Sequence, residues 1–364
     1  MTQEEIAQLP TLLDIVNHYQ DGERRIEEQV LNSRFAGLFP TRAHKGCFEA
    51  MTMEDGTKVL MPLSPAQHSY YRGESSYHED CYPTLYRKDM DDAEVFLERV
   101  KRCEMELMMR QYPITDLFAN SIYAQDPADE WHQLHFRVGY DGMAQHYGIK
   151  TEFLDLTLEP LTAAFFAATT YDFNTDTYSP ITDTVKYQYG AFYLYNEIPI
   201  LGQSSRRIDV VGMQPLLRPG RQSAYVFRMA KDENFNLFAQ KTFFRHDAKI
   251  NQEIFACANN GNRLFPQEIL NDKMRKKIVK GEEFSQKAFE EAKRRYASKE
   301  SDAMLIDFLA SKNVSISKAD RQWFSDVEKK KAVDYWKTYQ QELFSKIQLR
   351  WSYTGPVKEV DSFQ

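Results

Sequence analysis

Pro160-Leu-Thr-Ala-Ala-Phe-Phe-Ala-Ala168, with the segments that follow it, decides the fold class. Proline has the fixed φ that suits a first helical turn, and Leu161, Ala164, Phe165 and Ala168 recur at helical spacing. This predicts a helix from about Pro160 to Thr170 with that stripe buried. The period then changes. Gly190-Ala-Phe-Tyr-Leu-Tyr195, Ile208-Asp-Val-Val211 and Ala224-Tyr-Val-Phe-Arg-Met229 are β-branched and aromatic, and predict strands. The expected class is α+β: a small, twisted, mostly antiparallel sheet with flanking helices and helical extensions at both ends.

Working outward, Thr2 and Glu5 have the spacing of a capping box, although Pro10 follows closely. Leu12, Leu13, Ile15, Val16 and Tyr19 predict one helix, and Glu23–Asn32 a second, charged one. Met53-Glu-Asp-Gly56 reads as a turn before a strand at Val59-Leu-Met61. Asp91-Asp92 is placed to cap a helix whose face is Val95, Phe96, Val100, Cys103 and Leu107, ending before Pro113. Long helical patterns such as Lys318–Trp351 fill the C-terminal part. Its charges intersperse, as on a solvated face, while Trp323, Phe324, Val327, Val333, Trp336, Tyr339 and Leu343 are suited to docking on the core or on a protein partner. The expected division is residues 1–44, 45–275 and 276–364.

Composition narrows the function classes. The 364 residues include 24 Phe, 21 Tyr and 4 Trp, with only 15 Gly and 14 Pro, which excludes disordered and low-complexity scaffolds. From Phe284 onward 15 basic residues face 12 acidic ones; with a net charge of −7 overall, the rest of the chain is near −10. Nucleic acid is therefore an unlikely partner. The longest apolar stretch, Leu161 to Tyr171, is about half of the roughly 20 residues a bilayer span needs, so no membrane association is expected. The N-terminus lacks a basic and apolar leader, and Cys47, Cys81, Cys103 and Cys257 form no CxxC pair. The cytoplasm is the expected compartment. His78, Asp80 and Cys81, or His132 and His135, are conceivable metal ligands, but no metal is expected.

Two segments carry more information. One is Tyr70-Tyr71-Arg72-Gly73-Glu74, followed by Pro83-Thr-Leu-Tyr-Arg87. The other is Met143-Ala-Gln-His-Tyr-Gly148, then Thr151-Glu-Phe-Leu-Asp-Leu-Thr157 and the Pro160 helix. With Arg221-Gln-Ser-Ala-Tyr-Val-Phe227 and Leu264-Phe-Pro266, they resemble the FRG domain, a bacterial family named for its (Phe/Tyr)-Arg-Gly motif, over about residues 45–275. The order also resembles the Arg-Ser-Glu class of ADP-ribosyltransferases: Tyr71-Arg72-Gly73, then Thr157 before an Ala/Phe-rich helix. That likeness implies Arg72 on the pyrophosphate or ribose of NAD and Thr157 at the nicotinamide-side ribose. The place of the catalytic Glu is taken by Gln222, which cannot act as a base.

Physically, Arg72 is suited to bidentate phosphate binding or to holding a carboxylate such as Asp155, and Gly73 to close approach of a ligand or backbone. His146, at an expected helix end, is either a general acid/base or a backbone-bonded structural residue. Thr157 is suited to capping, and Asp155 to the site. The candidate catalytic residues are thus His146, Asp155 and Gln222. The candidate cofactor-binding residues are Tyr71, Arg72, Gly73, Arg87, Gln145 and Thr157, for a small anionic ligand such as the dinucleotide NAD. Two functions compete: an NAD-dependent transferase or glycohydrolase in a toxin or phage-defence setting, and a catalytically silent module that binds a nucleotide or protein.

Overall fold

The computed structural model describes residues 1–32, 48–52, 58–62, 68–87, 89–120, 122–125, 131–197, 207–211, 215–345, 349–350 and 360–362. The turn at Met53–Gly56 lies outside them. The fold is α+β, built on a six-stranded sheet with strands β1 (His68–Glu74), β2 (Phe153–Thr157), β3 (Tyr189–Glu197), β4 (Ile208–Val210), β5 (Ala224–Arg228) and β6 (Gln240–Arg245). Their order is β4-β5-β2-β1-β3-β6, and every neighbouring pair is antiparallel. The pairing is uneven. β1 matches β3 along its whole length, and β2 matches β5, but β1 and β2 meet only at Tyr71↔Thr157. The sheet is therefore two three-stranded blocks joined at one position, and they part toward Arg72 and Asp155.

Alternation along the strands feeds two cores. On one face Tyr70, Tyr193, Tyr225 and Phe227 pack in a cluster that includes Phe96, Val100, Met105 and Met108 of the Asp92–Arg110 helix. On the other, Tyr71, Phe192 and Phe244 meet Leu12, Ile15 and Val16, the Pro160–Ala168 helix and Ile254. The Pro160 helix begins on its proline as expected. Its buried set is Pro160, Thr162, Ala163, Ala164, Phe165, Ala167 and Ala168, whereas Leu161 is only partly buried. A helix enclosed on nearly all sides has no single stripe.

Asp91 caps its helix by accepting from Glu94 N at 2.7 Å, and the Thr2/Glu5 capping box forms around a five-residue helix. The N-terminal pattern needs correction: residues 12–31 form one continuous helix, not two. Gly22, between the two expected helices, costs a helix only about 1 kcal/mol and does not break it. The last long helix also differs, running Asp326–Ser345 from a Ser325/Glu328 capping pair, with Lys318 to Ser325 outside it and a short strand at Leu349–Arg350. Trp323, Phe324 and Trp336 are buried in the same cluster as the sheet, whereas Val327 is exposed. No helix among the described residues is long and apolar enough to cross a membrane.

Candidate functional site

Where β1 and β2 part, a cleft of about 480 Å³ opens, within the range of small-molecule sites. Arg72, Gln145, His146, Asp155, Thr157 and Gln222 all line it, together with Tyr71 and Gly73. Arg87 does not; it is an exposed residue after a short 3-10 turn. Glu152, the other carboxylate of the second motif, also lies elsewhere, paired with Arg102 at 2.8 Å and Arg228 at 3.3 Å.

Several of these side chains are committed within the protein. Arg72 donates through Nε and Nη2 to Glu74 Oε1 at 3.1 and 2.9 Å, and through Nη1 to the main-chain oxygen of Asp155 at 3.1 Å. It thus clasps the two strands where their ladder fails, and the carboxylate it holds is Glu74, not Asp155. Gly73 is demanded by packing: a Cβ there would lie 2.1 Å from Ala163 O of the Pro160 helix. Tyr71 gives its hydroxyl to Glu23 at 2.8 Å. The Thr157 hydroxyl donates to Gln222 O at 2.7 Å and accepts from Glu159 N at 3.0 Å beside the Pro160 helix, so its donor is used locally. Near Arg72, burial pushes the Cys81 thiol up to about 12, which keeps it protonated.

His146 and Asp155 are held differently. His146 ends the Tyr140–His146 helix, and its Nδ1 lies 3.0 Å from Gln222 Oε1. Gln222 Nε2 donates to Leu264 O at 3.1 Å. A carbonyl can only accept, so this bond fixes which way the amide points, and His146 Nδ1 must carry the proton. On the other side, Gln145 Nε2 donates to Asp155 Oδ2 at 3.2 Å, and Gln145 Oε1 accepts from Thr151 at 2.6 Å. Two amide relays therefore aim His146 Nε2 and Asp155 Oδ1 at each other, 3.4 Å apart. Both atoms are buried without a hydrogen-bond partner. In the neutral ring Nε2 is a lone pair, facing a carboxylate oxygen with no proton between them.

Burial holds His146 below the ordinary imidazole pKa, against the opposing pull of Asp155 and the Gln222 bond. Burial does the same to His246, whose Nε2 donates to Ser75 O at 2.8 Å. A depressed histidine takes up its proton more readily in the unfolded chain. The linked stability is present above about pH 6.5 and declines as pH falls through it. We expect a lower urea midpoint at pH 5.5 than at 7.5, with a smaller drop in His146→Gln; a flat or rising midpoint would show that the ring is not held neutral.

The rest of the cleft is aromatic and cationic. Tyr178 stacks on Phe265 with ring centres 4.5 Å apart, Tyr171 follows at 4.9 Å, and Phe173 stands beside it. Tyr171 and Phe173 are 44% and 47% exposed, and the Lys280 ammonium lies over the Phe173 ring 4.8 Å from its centre. Lys150, Arg218 and Arg275 add positive charge. No motif or periodicity in the sequence points to Tyr171, Phe173, Tyr178, Lys150, Arg218 or Arg275 as site residues. Only Phe265 among the aromatic wall was quoted in a motif. Among the described residues no group of three His, Cys, Asp or Glu side chains is arranged to hold a metal.

The family model of the FRG domain matches residues 67–175. The stretch is shorter than the motif resemblance over 45–275, and it contains Arg72, Gln145, His146, Asp155 and Thr157 but not Arg218 or Gln222. No curated protein and no solved structure matches the chain.

Proposed function

We propose that the cleft binds an NAD-class dinucleotide and cleaves its bond to nicotinamide, transferring the ADP-ribosyl group to water or to a side-chain hydroxyl. The observation that carries this reading is the buried, unsatisfied pair His146 Nε2 and Asp155 Oδ1, which face each other at 3.4 Å. The C–N bond breaks with its electron pair leaving on the pyridine ring. The Asp155 carboxylate stabilises the positive charge that develops on the ribosyl carbon. The incoming hydroxyl oxygen bonds that carbon and passes its proton to His146 Nε2, which the Leu264–Gln222 relay keeps free to accept it. Gln222 thus acts as a positioning residue, and Asp155 supplies the carboxylate that the third motif lacks. The exposed ring of Tyr171 suits a base or nicotinamide, and the cations suit its phosphates. The ADP-ribosyltransferase likeness rests on the residues Tyr71-Arg72-Gly73 and Thr157 alone.

The second reading is a silent binding module. It is favoured by the internal commitments of Arg72, Thr157 and Gln222. Incubation with millimolar NAD separates the two. The enzyme reading expects nicotinamide release and a raised melting temperature; a raised melting temperature without release selects the module, and neither effect removes both for NAD.

A further inference from the structure

Arg218 is the cation whose environment is incomplete. It lies in the Leu217–Arg221 turn just before Gln222, is only 7% exposed, and its guanidinium is sandwiched between the rings of Tyr147 and Phe265 at 4.8 and 5.1 Å. It donates to His146 O at 3.2 Å and Asn271 Oδ1 at 3.0 Å, while its Nε is buried without a partner. No carboxylate pairs with it among the described residues. Glu268, whose charge it influences, is occupied by the Tyr147 hydroxyl and Leu217 N. The guanidinium itself hydrogen-bonds only to neutral groups, and an anion in the cleft supplies the charge-assisted bond that its Nε lacks. Arg72 is the opposite case, already neutralised by Glu74.

Arg275 lies one helical turn beyond Asn271 and lines the same cleft, donating to the main-chain oxygens of Phe173 and Asn174 and, among the described residues, to no carboxylate. We propose that Arg218 and Arg275 form an anion subsite that takes a phosphate or pyrophosphate group, and that Arg72 does not. The subsite rests on the reading of the cleft as a dinucleotide site. It moves the phosphates away from the Tyr-Arg-Gly motif.

The probe is inorganic pyrophosphate, titrated by calorimetry at fixed ionic strength into the full chain. Parent protein should bind it, and Arg275→Ala and Arg218→Lys should each weaken binding by about 10-fold, the usual scale of a lost charge-assisted bond. Lys277→Ala removes the same charge on the neighbouring groove, outside the cleft, and should change affinity by less than about twofold. If Arg218→Lys does not fold, Arg275→Ala decides. No binding to the parent, unchanged affinity in the folded variants, or an equal loss with Lys277→Ala each overturns the subsite. Its fate is separable from that of the chemistry. Variant-sensitive pyrophosphate binding without nicotinamide release keeps the subsite and removes the glycosyl cleavage, whereas NAD cleavage with unchanged KM in the variants does the reverse.

Discussion

Asp155→Asn is expected to be more stable than the parent chain at neutral pH and to lose turnover. Asparagine has the same shape, keeps one oxygen for the Gln145 amide, and turns an N–H₂ toward His146 Nε2, which the parent carboxylate faces at 3.4 Å. Two buried unsatisfied atoms then become a donor and an acceptor. Relief of such groups is worth about 1–2 kcal/mol. The same change removes the negative charge that would stabilise the transition state, for a loss of about 10²–10⁴-fold in rate. The advantage should shrink as pH falls, because a protonated His146 forms an ion pair with Asp155 that Asn cannot replace. Urea midpoints at pH 7.5 and 5.5, with nicotinamide release, read all three effects. A variant clearly weaker than the parent at pH 7.5 would contradict the facing pair. Turnover within a few-fold of the parent would remove Asp155 from the chemistry.

Gly73→Ala should be severely destabilising. Its Cβ would fall 2.1 Å from Ala163 O and 2.8 Å from Ala167 Cβ, and the Pro160–Ala168 helix to which they belong is buried nearly all round. Overpacking usually costs about 1–3 kcal/mol, and a clash with backbone that cannot retreat belongs at or above the top of that range. Against a total stability of about 5–15 kcal/mol, that is a large fraction. Gly22 supplies the control, because nothing lies within 4 Å of a Cβ there. Gly22→Ala should raise the urea midpoint by the equivalent of about 0.5–1 kcal/mol. Equal and small effects at the two positions would show that the helix can yield.

The fold class and strands β3, β4 and β5 were legible because each segment carries its own period, and Arg72, His146, Asp155 and Gln222, which line one cleft, each lie in a motif; β2 and β6 were not assigned from the sequence. What those residues do there was less so. Glu74 as partner of Arg72 was available from strand alternation, since residues two apart share a face. Arg218 offered no such signal: its position depends on Tyr147 and Phe265, brought together only by the tertiary fold. Gly73 suggested a close approach, but only the packed helix shows that a backbone, not a ligand, makes it. The helix that runs unbroken through Gly22, where two were expected, shows that a single glycine need not end a helix.

The single pairing of Tyr71 with Thr157 has a consequence for how the molecule comes into being. The two residues are 86 positions apart, so closing them carries the entropy of a long loop and returns almost no ladder for it. Each is instead clamped from its outer side, Tyr71 by Leu194 of β3 and Thr157 by Ala224 of β5, both synthesised after residue 175. Assembly of the cleft therefore belongs to the late, slow events of folding, after the later strands have added themselves. The 67–175 stretch holds the motif residues but not the strands that set their spacing. It can be inherited as a sequence, but it cannot be transplanted as a working part.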